Sequence, residues 1–406
     1  MSRLSLFEGF GVEIEYMIVD AETLDVRPVC DRLLAAMAGD PVSELERGSF
    51  AWSNELVLHV LELKTNGPAA TLAGLGAGFH AEVGVALEAL DPMGCTLLPG
   101  GVHPWMDPKE ETRLWPHEYN EVYRAFDRIF GCSGHGWSNL QSTHVNLPFA
   151  GDEEFGRLHS AIRAVLPLIP ALAAASPFLD GVLQPSMDAR MEAYGGNAAR
   201  IPEVSGGVVP IPVRTEEEYR QRILKPIYSA LEPHDPQGIL RHEWVNARGA
   251  IARFERGAIE IRVIDAQECP SADLAVVALI SGVIHELTDE RWCALEDLDE
   301  IETARLSVLF VETARSAGAA VIAEPRLTRA LGWSKSEGTA ASIWRHLADR
   351  VAPDHVPDAY APALEAILRH GSLAERMAES FRREASVRAI AARLASTLRD
   401  DRSYTP

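Results

Sequence analysis

Phe10-Gly11-Val12-Glu13-Ile14-Glu15-Tyr16-Met17-Ile18-Val19-Asp20 reads as a buried β-strand that carries two carboxylates. Side chains alternate along a strand, so Glu13 and Glu15 project together while Val12, Ile14 and Tyr16 take the other face. Adjacent carboxylates in a low-dielectric setting repel each other and lose hydration. Such a pair persists where a cation binds it, a proton is shared or water reaches it. The first expectation is therefore a metal-dependent active site. The competing reading is the wet face of an antiparallel sheet.

Other segments, far apart in the chain, share the anomaly. Leu56-Val57-Leu58-His59-Val60-Leu61-Glu62-Leu63, ended by Asn66-Gly67-Pro68, predicts a second strand. Glu55 and Glu62 would fall on opposite faces of an unbroken strand, so bringing both to one site requires a bulge or a late strand start. Ser142 to Leu147 alternates as a strand with His144 and Asn146 on one face, and Ala258 to Asp265 alternates with Glu260 and Arg262 together. A lone histidine of this kind is ordinarily a hydrogen-bonded core residue, and a Glu-Arg couple an ion pair. Taken together, several carboxylates, a histidine and an arginine suit Mg²⁺, which prefers oxygen ligands, and phosphoryl transfer, in which metals and an arginine offset phosphate charge.

Composition narrows the alternatives. The chain has 406 residues, 47% of them hydrophobic, enough for a large core. A net charge of -21, from 38 basic and 59 acidic residues, speaks against a nucleic-acid partner or an anionic membrane surface. The five cysteines are widely spaced with no CxxC pair, which indicates reduced thiols rather than a disulfide framework or a zinc site. The amino terminus lacks a signal-peptide pattern, and no uninterrupted apolar run approaches the ~18 residues of a membrane span, so the expected location is cytoplasmic. There is no GxxxxGK[ST] loop, no GxSxG elbow and no HExxH helix, and Gly74-Leu75-Gly76-Ala77-Gly78 falls inside a helical pattern, out of context for a dinucleotide loop.

Helices are predicted over Asp31–Met37, Thr71–Leu90, Trp115–Phe130, Phe155–Ala175, Ser271–Leu287, Glu365–Met377 and Phe381–Leu398, with a further strand at Cys95–Leu98. The stretch from Tyr194 to Pro212, rich in Gly and Pro, predicts a long surface loop or lid. The expected fold class is α+β: a sheet-containing catalytic region over residues 1–290 and a mostly helical region over 291–406 packed on the same domain.

Gly11-Val12-Glu13-Ile14-Glu15, Glu55 with Glu62, Gly101-Val102-His103-Pro104-Trp105, Thr143-His144-Val145-Asn146 and Ile259-Glu260-Ile261-Arg262-Val263-Ile264-Asp265 followed by Pro270-Ser271 occur in that order. Collectively they resemble the carboxylate-amine ligases related to glutamate-cysteine ligase, over about residues 8–290. The resemblance implies a glutamine-synthetase-like antiparallel sheet that presents carboxylates to two or three Mg²⁺ ions, with Mn²⁺ as an alternative, around ATP as co-substrate. It implies metal binding by Glu13, Glu15, Glu55, Glu62, Glu260 and His144, and a catalytic role for Arg262, Glu260 and His144. It further implies substrate or nucleotide contacts from Asn146, Arg190, Arg248, Arg253 and Arg262. Some members carry a second histidine where this chain has Asn146. The implied reaction activates an acid, glutamate first among candidates, as an acyl phosphate that an amine then attacks, with cysteine or another amine as acceptor. The alternatives are a non-catalytic nucleotide- or metal-binding homologue and an ATP-dependent phosphotransferase or hydrolase. The oligomeric state, homo-oligomer or monomer, stays open.

Overall fold

The computed structural model describes residues 3–406. The opening stretch forms strand β1 (Gly11–Asp20), the spine of an eight-stranded antiparallel sheet. The other members are β2 (Glu44–Arg47), β3 (Phe50–Asn54), β4 (Val60–Thr65), β5 (Cys95–Leu98), β6 (Ser142–Pro148), β9 (Ala250–Arg253) and β10 (Ala258–Asp265). A separate hairpin pairs β7 (Phe178–Leu179) with β8 (Val182–Leu183). The main order is β2-β3-β4-β1-β6-β10-β9. β5 pairs with β1 over Met17–Asp20 and β6 with β1 over Gly11–Ile14, so these two strands lie end to end along one edge of β1 while β4 takes the other. All of these pairings are antiparallel, including β4 and β5 with β1, although a helix connects β4 to β5.

The two faces of β1 have different fates. Val12, Ile14, Tyr16 and Ile18 have no exposed surface and enter the main core, with apolar residues of the helices Leu75–Leu90, Gly151–Val165 and Pro270–Thr288. The other face begins with Glu13 and Glu15 and turns apolar at Met17 and Val19. Those two residues belong to a second core with Leu373, Met377, Ile390 and Leu394 from the helices Leu373–Glu384 and Val387–Asp400. Carboxy-terminal helices thus cover the apolar half of this face, and the polar half forms the site. Pro270–Thr288 is long and apolar enough to cross a membrane by length and composition alone, but 83% of its most apolar window is buried within the protein.

Several expected boundaries move. The strand predicted at Leu56 starts only at Val60; Leu56–His59 form the bend that joins it to β3. The helix expected from Trp115 spans Asn120–Phe130, and that expected from Thr71 starts at Leu75. Phe155–Ala175 is not one helix. Gly151–Val165 gives way to a tighter turn at Leu166–Leu168 and then Ile169–Ala173, because Pro167 and Pro170 lack the amide hydrogens a continuous helix needs. Glu365–Met377 is likewise divided at Gly371, whose φ of +88° ends Ala361–His370, and Ser372 with Glu375 forms the capping box of the next helix.

The expected lid is also corrected. Tyr194–Gly196 close the helix Ala189–Gly196, and the segment after them is pinned by buried Ile201, Val204, Val208 and Val209. Its apolar side chains anchor it to the core despite the glycine and proline content.

Candidate active site

Strand register brings the polar residues together. Glu15 lies opposite Glu62 of β4, Glu13 opposite His144 of β6, and Asn146 opposite Glu260 of β10. Gly11 lies opposite Asn146, where a Cβ would come within 3.0 Å of the Asn146 Cβ. Glu55 follows the last residue of β3 and continues the alternation of Ser53, which pairs with Glu62. Glu55 and Glu62 thus reach one place from the two arms of a hairpin.

The outcome is two adjacent triads on the same sheet face, Glu15 with Glu55 and Glu62, and Glu13 with His144 and Glu260. In each, one ligand atom per residue lies within 4.8 Å of the others. Ser142 links them. Its amide and hydroxyl donate to Glu15 Oε2 at 2.8 and 3.0 Å, and its Oγ stands 2.9 Å from His144 Nε2. The hydroxyl has one hydrogen and gives it to Glu15, so His144 must present Nε2–H to the Ser142 oxygen. That leaves Nδ1 aimed at Glu13 Oε2, 3.2 Å away, with Glu260 Oε1 at 3.9 Å.

Charge is unevenly matched. Burial, followed by the carboxylates of Glu62, Glu15 and Glu13, pushes Glu55 well above the usual carboxylate range. Burial and Glu13 also raise Glu62, against Lys64 and the Ser53 hydroxyl, which donates to it at 2.6 Å. Lys64, 3.3 Å from Glu62 Oε1, makes the only ion pair of that triad among the described residues. In the other triad burial opposes ionisation of Glu13, yet the His144 hydrogen bond and the charges of His144, Lys64 and Arg256 outweigh it and hold Glu13 down at about 2. Burial likewise opposes protonation of His144, and the bond to Glu13 with the nearby Glu15 and Glu260 charges raises it all the same.

A divalent cation fits these residues. Glu15, Glu55 and Glu62 offer only oxygen donors, as Mg²⁺ prefers, and Glu55 is raised first by its burial and then by the crowding of the neighbouring carboxylates, which a bound cation would offset. Glu13, Glu260 and an unprotonated His144 Nδ1 complete a second, mixed donor set.

The sequence of residues 9–392 matches the family described as glutamate-cysteine ligase family 2 (GCS2). The chain belongs to that family. As a GCS2 member it is an ATP-dependent ligase of the carboxylate-amine class. An uncharacterized protein of Archaeoglobus fulgidus is 36% identical over 280 residues, covering 69% of this chain and 75% of the relative. A Rubrobacter xylanophilus protein named "Putative glutamate--cysteine ligase 2-3" is 28% identical over 273 residues, covering 66% of this chain and 67% of its own. The crystal structure of a Francisella tularensis glutamate-cysteine ligase in complex with AMP superposes with a TM-score of 0.60 over 98% of this chain and 90% of that one. At 13% identity, that likeness speaks for a shared fold, the glutamine-synthetase-like arrangement expected from the sequence.

The arginines of this GCS2 chain divide into two groups. Arg253 Nη1 donates to Glu260 Oε2 at 2.9 Å, and Arg262 Nη1 lies 3.2 Å from Glu260 Oε1, so both border the second triad. The rest of the Arg262 side chain makes no hydrogen bond among the described residues, and its Nε is buried without a partner there. Arg190 is buried and committed: its Nε pairs with Asp265, and its terminal nitrogens reach the Arg262 carbonyl at 3.3 and 3.4 Å. In this conformation it props the Arg262 backbone instead of presenting a free guanidinium. Arg248 donates to the Glu203 carbonyl and to the Asn246 side-chain oxygen, at 3.1 and 2.9 Å, and makes no hydrogen bond or ion pair to either triad. Asn146 donates from its side-chain amide nitrogen to Glu13 Oε1 at 3.3 Å, with its side-chain oxygen Oδ1 unpartnered among the described residues.

Ser142, Ser53, Lys64 and Asp265 were not among the residues singled out in the sequence. Two of them carried a signal: Ser142 shares the alternation of His144 and Asn146, and Lys64 that of Glu62. Asp265 did not, because its role comes from Gly101. A Cβ at Gly101 would lie 2.4 Å from the Asp265 carboxyl, so glycine makes room for the acid that holds Arg190.

Proposed function

We propose that the chain transfers the γ-phosphoryl group of ATP to the γ-carboxylate of glutamate and passes the activated acyl group to the amine of cysteine or a related amino compound. A carboxylate is a poor acyl donor because its charge and resonance oppose nucleophilic attack. Phosphorylation converts one carboxylate oxygen into part of a leaving group, with ADP released. The amine nitrogen then bonds to the acyl carbon, phosphate departs and the nitrogen loses a proton, which leaves an amide.

The observation that carries this reading is the pair of acidic triads side by side on β1 with Arg262 beside Glu260. Glu15, Glu55 and Glu62, and Glu13, His144 and Glu260, would hold Mg²⁺, whose contribution when bound is to offset charge as phosphate and carboxylate oxygens approach. Arg262 offers its uncommitted guanidinium donors to the transferring phosphoryl group, and Arg253 keeps Glu260 in place. Arg190 and Asp265 fix the backbone from which Arg262 projects.

The test is phosphate release by the purified chain with ATP, Mg²⁺, glutamate and a panel of amines. Turnover that requires both glutamate and an amine is the expected result. ATP consumption independent of glutamate, or none with any amine, overturns the glutamyl-ligase reading.

A further inference from the structure

A second kind of donor cluster lies on the opposite side of the sheet from the acidic triads. His285 and Glu286 belong to the last turn of Pro270–Thr288, the core helix behind β1, and His355 ends the helix Ala340–His355. Glu286 Oε1 is 3.2 Å from His355 Nε2 and 4.0 Å from His285 Nδ1, and the three donor atoms all lie within 4.8 Å of one another.

Two independent features of the packing build this arrangement. The first is Gly282, one turn before His285. A Cβ there would sit 2.4 Å from Val351 Cγ1 and 2.7 Å from His355 Cβ, so glycine allows the two helices to close and seats His355 against Glu286. The second is an unmet polar atom: His285 Nδ1 is buried with no hydrogen-bond partner among the described residues. A buried ring nitrogen in that state is ordinarily compensated by a ligand or by water. The Phe7 ring, edge-on at 4.4 Å, shields the same imidazole from one side.

The donor set differs from that of the triads. Two imidazole nitrogens and one carboxylate oxygen suit zinc-class ions, and three protein ligands leave a position for water. Tetrahedral zinc, with ligand bonds of about 2.0–2.2 Å, sets its ligand atoms roughly 3.4 Å apart. Two of the observed separations, 3.2 and 4.0 Å, bracket that value, and the third does not exceed 4.8 Å. Arg291 donates to Glu286 Oε1 at 2.9 Å, but it is half exposed and already shared with Asp289 at 3.2 Å, so it can give up this oxygen.

We propose that His285, Glu286 and His355 bind a divalent transition-metal ion of the zinc class, which clamps the helix Ala340–His355 to the core helix Pro270–Thr288. The site is separate from the acidic triads and does not take part in the ligase reaction.

The experiment titrates Zn²⁺ alone into the full chain in excess Mg²⁺ by calorimetry, and compares the wild type with His285→Ala, with His355→Ala and with the double variant. Zinc taken up at the acidic triads is common to all of these proteins and cancels in the comparison. Removal of either imidazole should weaken this site by at least about 100-fold, since even loss of an outer-shell partner costs 10–100-fold. The double variant should bind one equivalent fewer and show a smaller zinc-dependent rise in Tm than the wild type. His355→Gln keeps a hydrogen-bonding group next to Glu286 without an imidazole donor. It should fold as the wild type does by circular dichroism and still lose the equivalent, which covers the case in which an alanine variant misfolds. Equal stoichiometry and an equal zinc-induced shift in Tm in wild type and His355→Gln would overturn the proposal. ATP turnover is not a readout, so the outcome is independent of the substrate assignment.

Discussion

Ser142→Ala probes the link between the two triads with the smallest possible change. It deletes only the hydroxyl oxygen, which donates to Glu15 Oε2 at 3.0 Å and faces His144 Nε2 at 2.9 Å, and leaves the strand amide donating to Glu15 at 2.8 Å. A hydrogen bond to a charged group contributes about 1.5–3 kcal/mol, so the metal-free protein should lose about 2 kcal/mol of stability, measured by urea unfolding at neutral pH. The larger effect should be on metal requirement. Without the Ser142 oxygen His144 Nε2 loses its partner and only the 3.2 Å contact of Nδ1 with Glu13 orients the ring, and loss of such outer-shell support lowers metal affinity by about 10–100-fold. The Mg²⁺ concentration that gives half-maximal phosphate release should rise by that factor, with little change in KM for ATP once Mg²⁺ is saturating. A variant with wild-type Mg²⁺ dependence, whatever its stability, would refute the claim that Ser142 orients a metal-binding His144.

Two other outcomes are expected. Arg262→Lys replaces a planar donor with a point charge beside Glu260 and should lower kcat by about 100-fold or more while leaving unfolding midpoints nearly unchanged; a near-normal kcat removes Arg262 from the phosphate site. Asp273, on the core side of the sheet, accepts from Thr143 Oγ1 and the Gln267 amide, yet burial pushes it up from 3.8 to about 8. The folded state therefore keeps a proton that the unfolded chain gives up, so this stabilisation is complete below about pH 3.8 and is lost as pH rises towards 8. Asp273→Asn cannot ionise and should gain on the wild type by about 1.4 kcal/mol per pH unit between pH 5 and 8 in urea unfolding, whereas a pH-independent difference would contradict the assignment.

Much of the site could be read from residue alternation. Period-two placement alone put Glu13 with Glu15, His144 with Asn146 and Glu260 with Arg262, because a side chain's face on a strand follows from its position in the chain. The same rule, applied to a strand presumed to start at Leu56, set Glu55 against Glu62. The conflict disappears once Glu55 belongs to the β3 arm and β4 starts at Val60. Ser372 and Glu375 spelled a capping box in the sequence, and the helical pattern from Glu365 to Met377 ran over it because apolar periodicity continued across the break. The supposed lid after Tyr194 was inferred from glycine and proline content, which describes local freedom and says nothing of Val204 and Val208 reaching the core.

The sequence by itself determined which side chains share a strand face and, through motif order, the ligase family. The tertiary structure decided which carboxylates lie together. Glu13 and Glu15 are neighbours on β1, yet they serve different triads, because β4 brings Glu62 opposite Glu15 while β6 brings His144 opposite Glu13. It also decided that Arg190 props the Arg262 backbone and that Arg248 stands apart. Interstrand register, and the space left by a glycine such as Gly101, depend on contacts between residues far apart in the chain, and local alternation does not encode them.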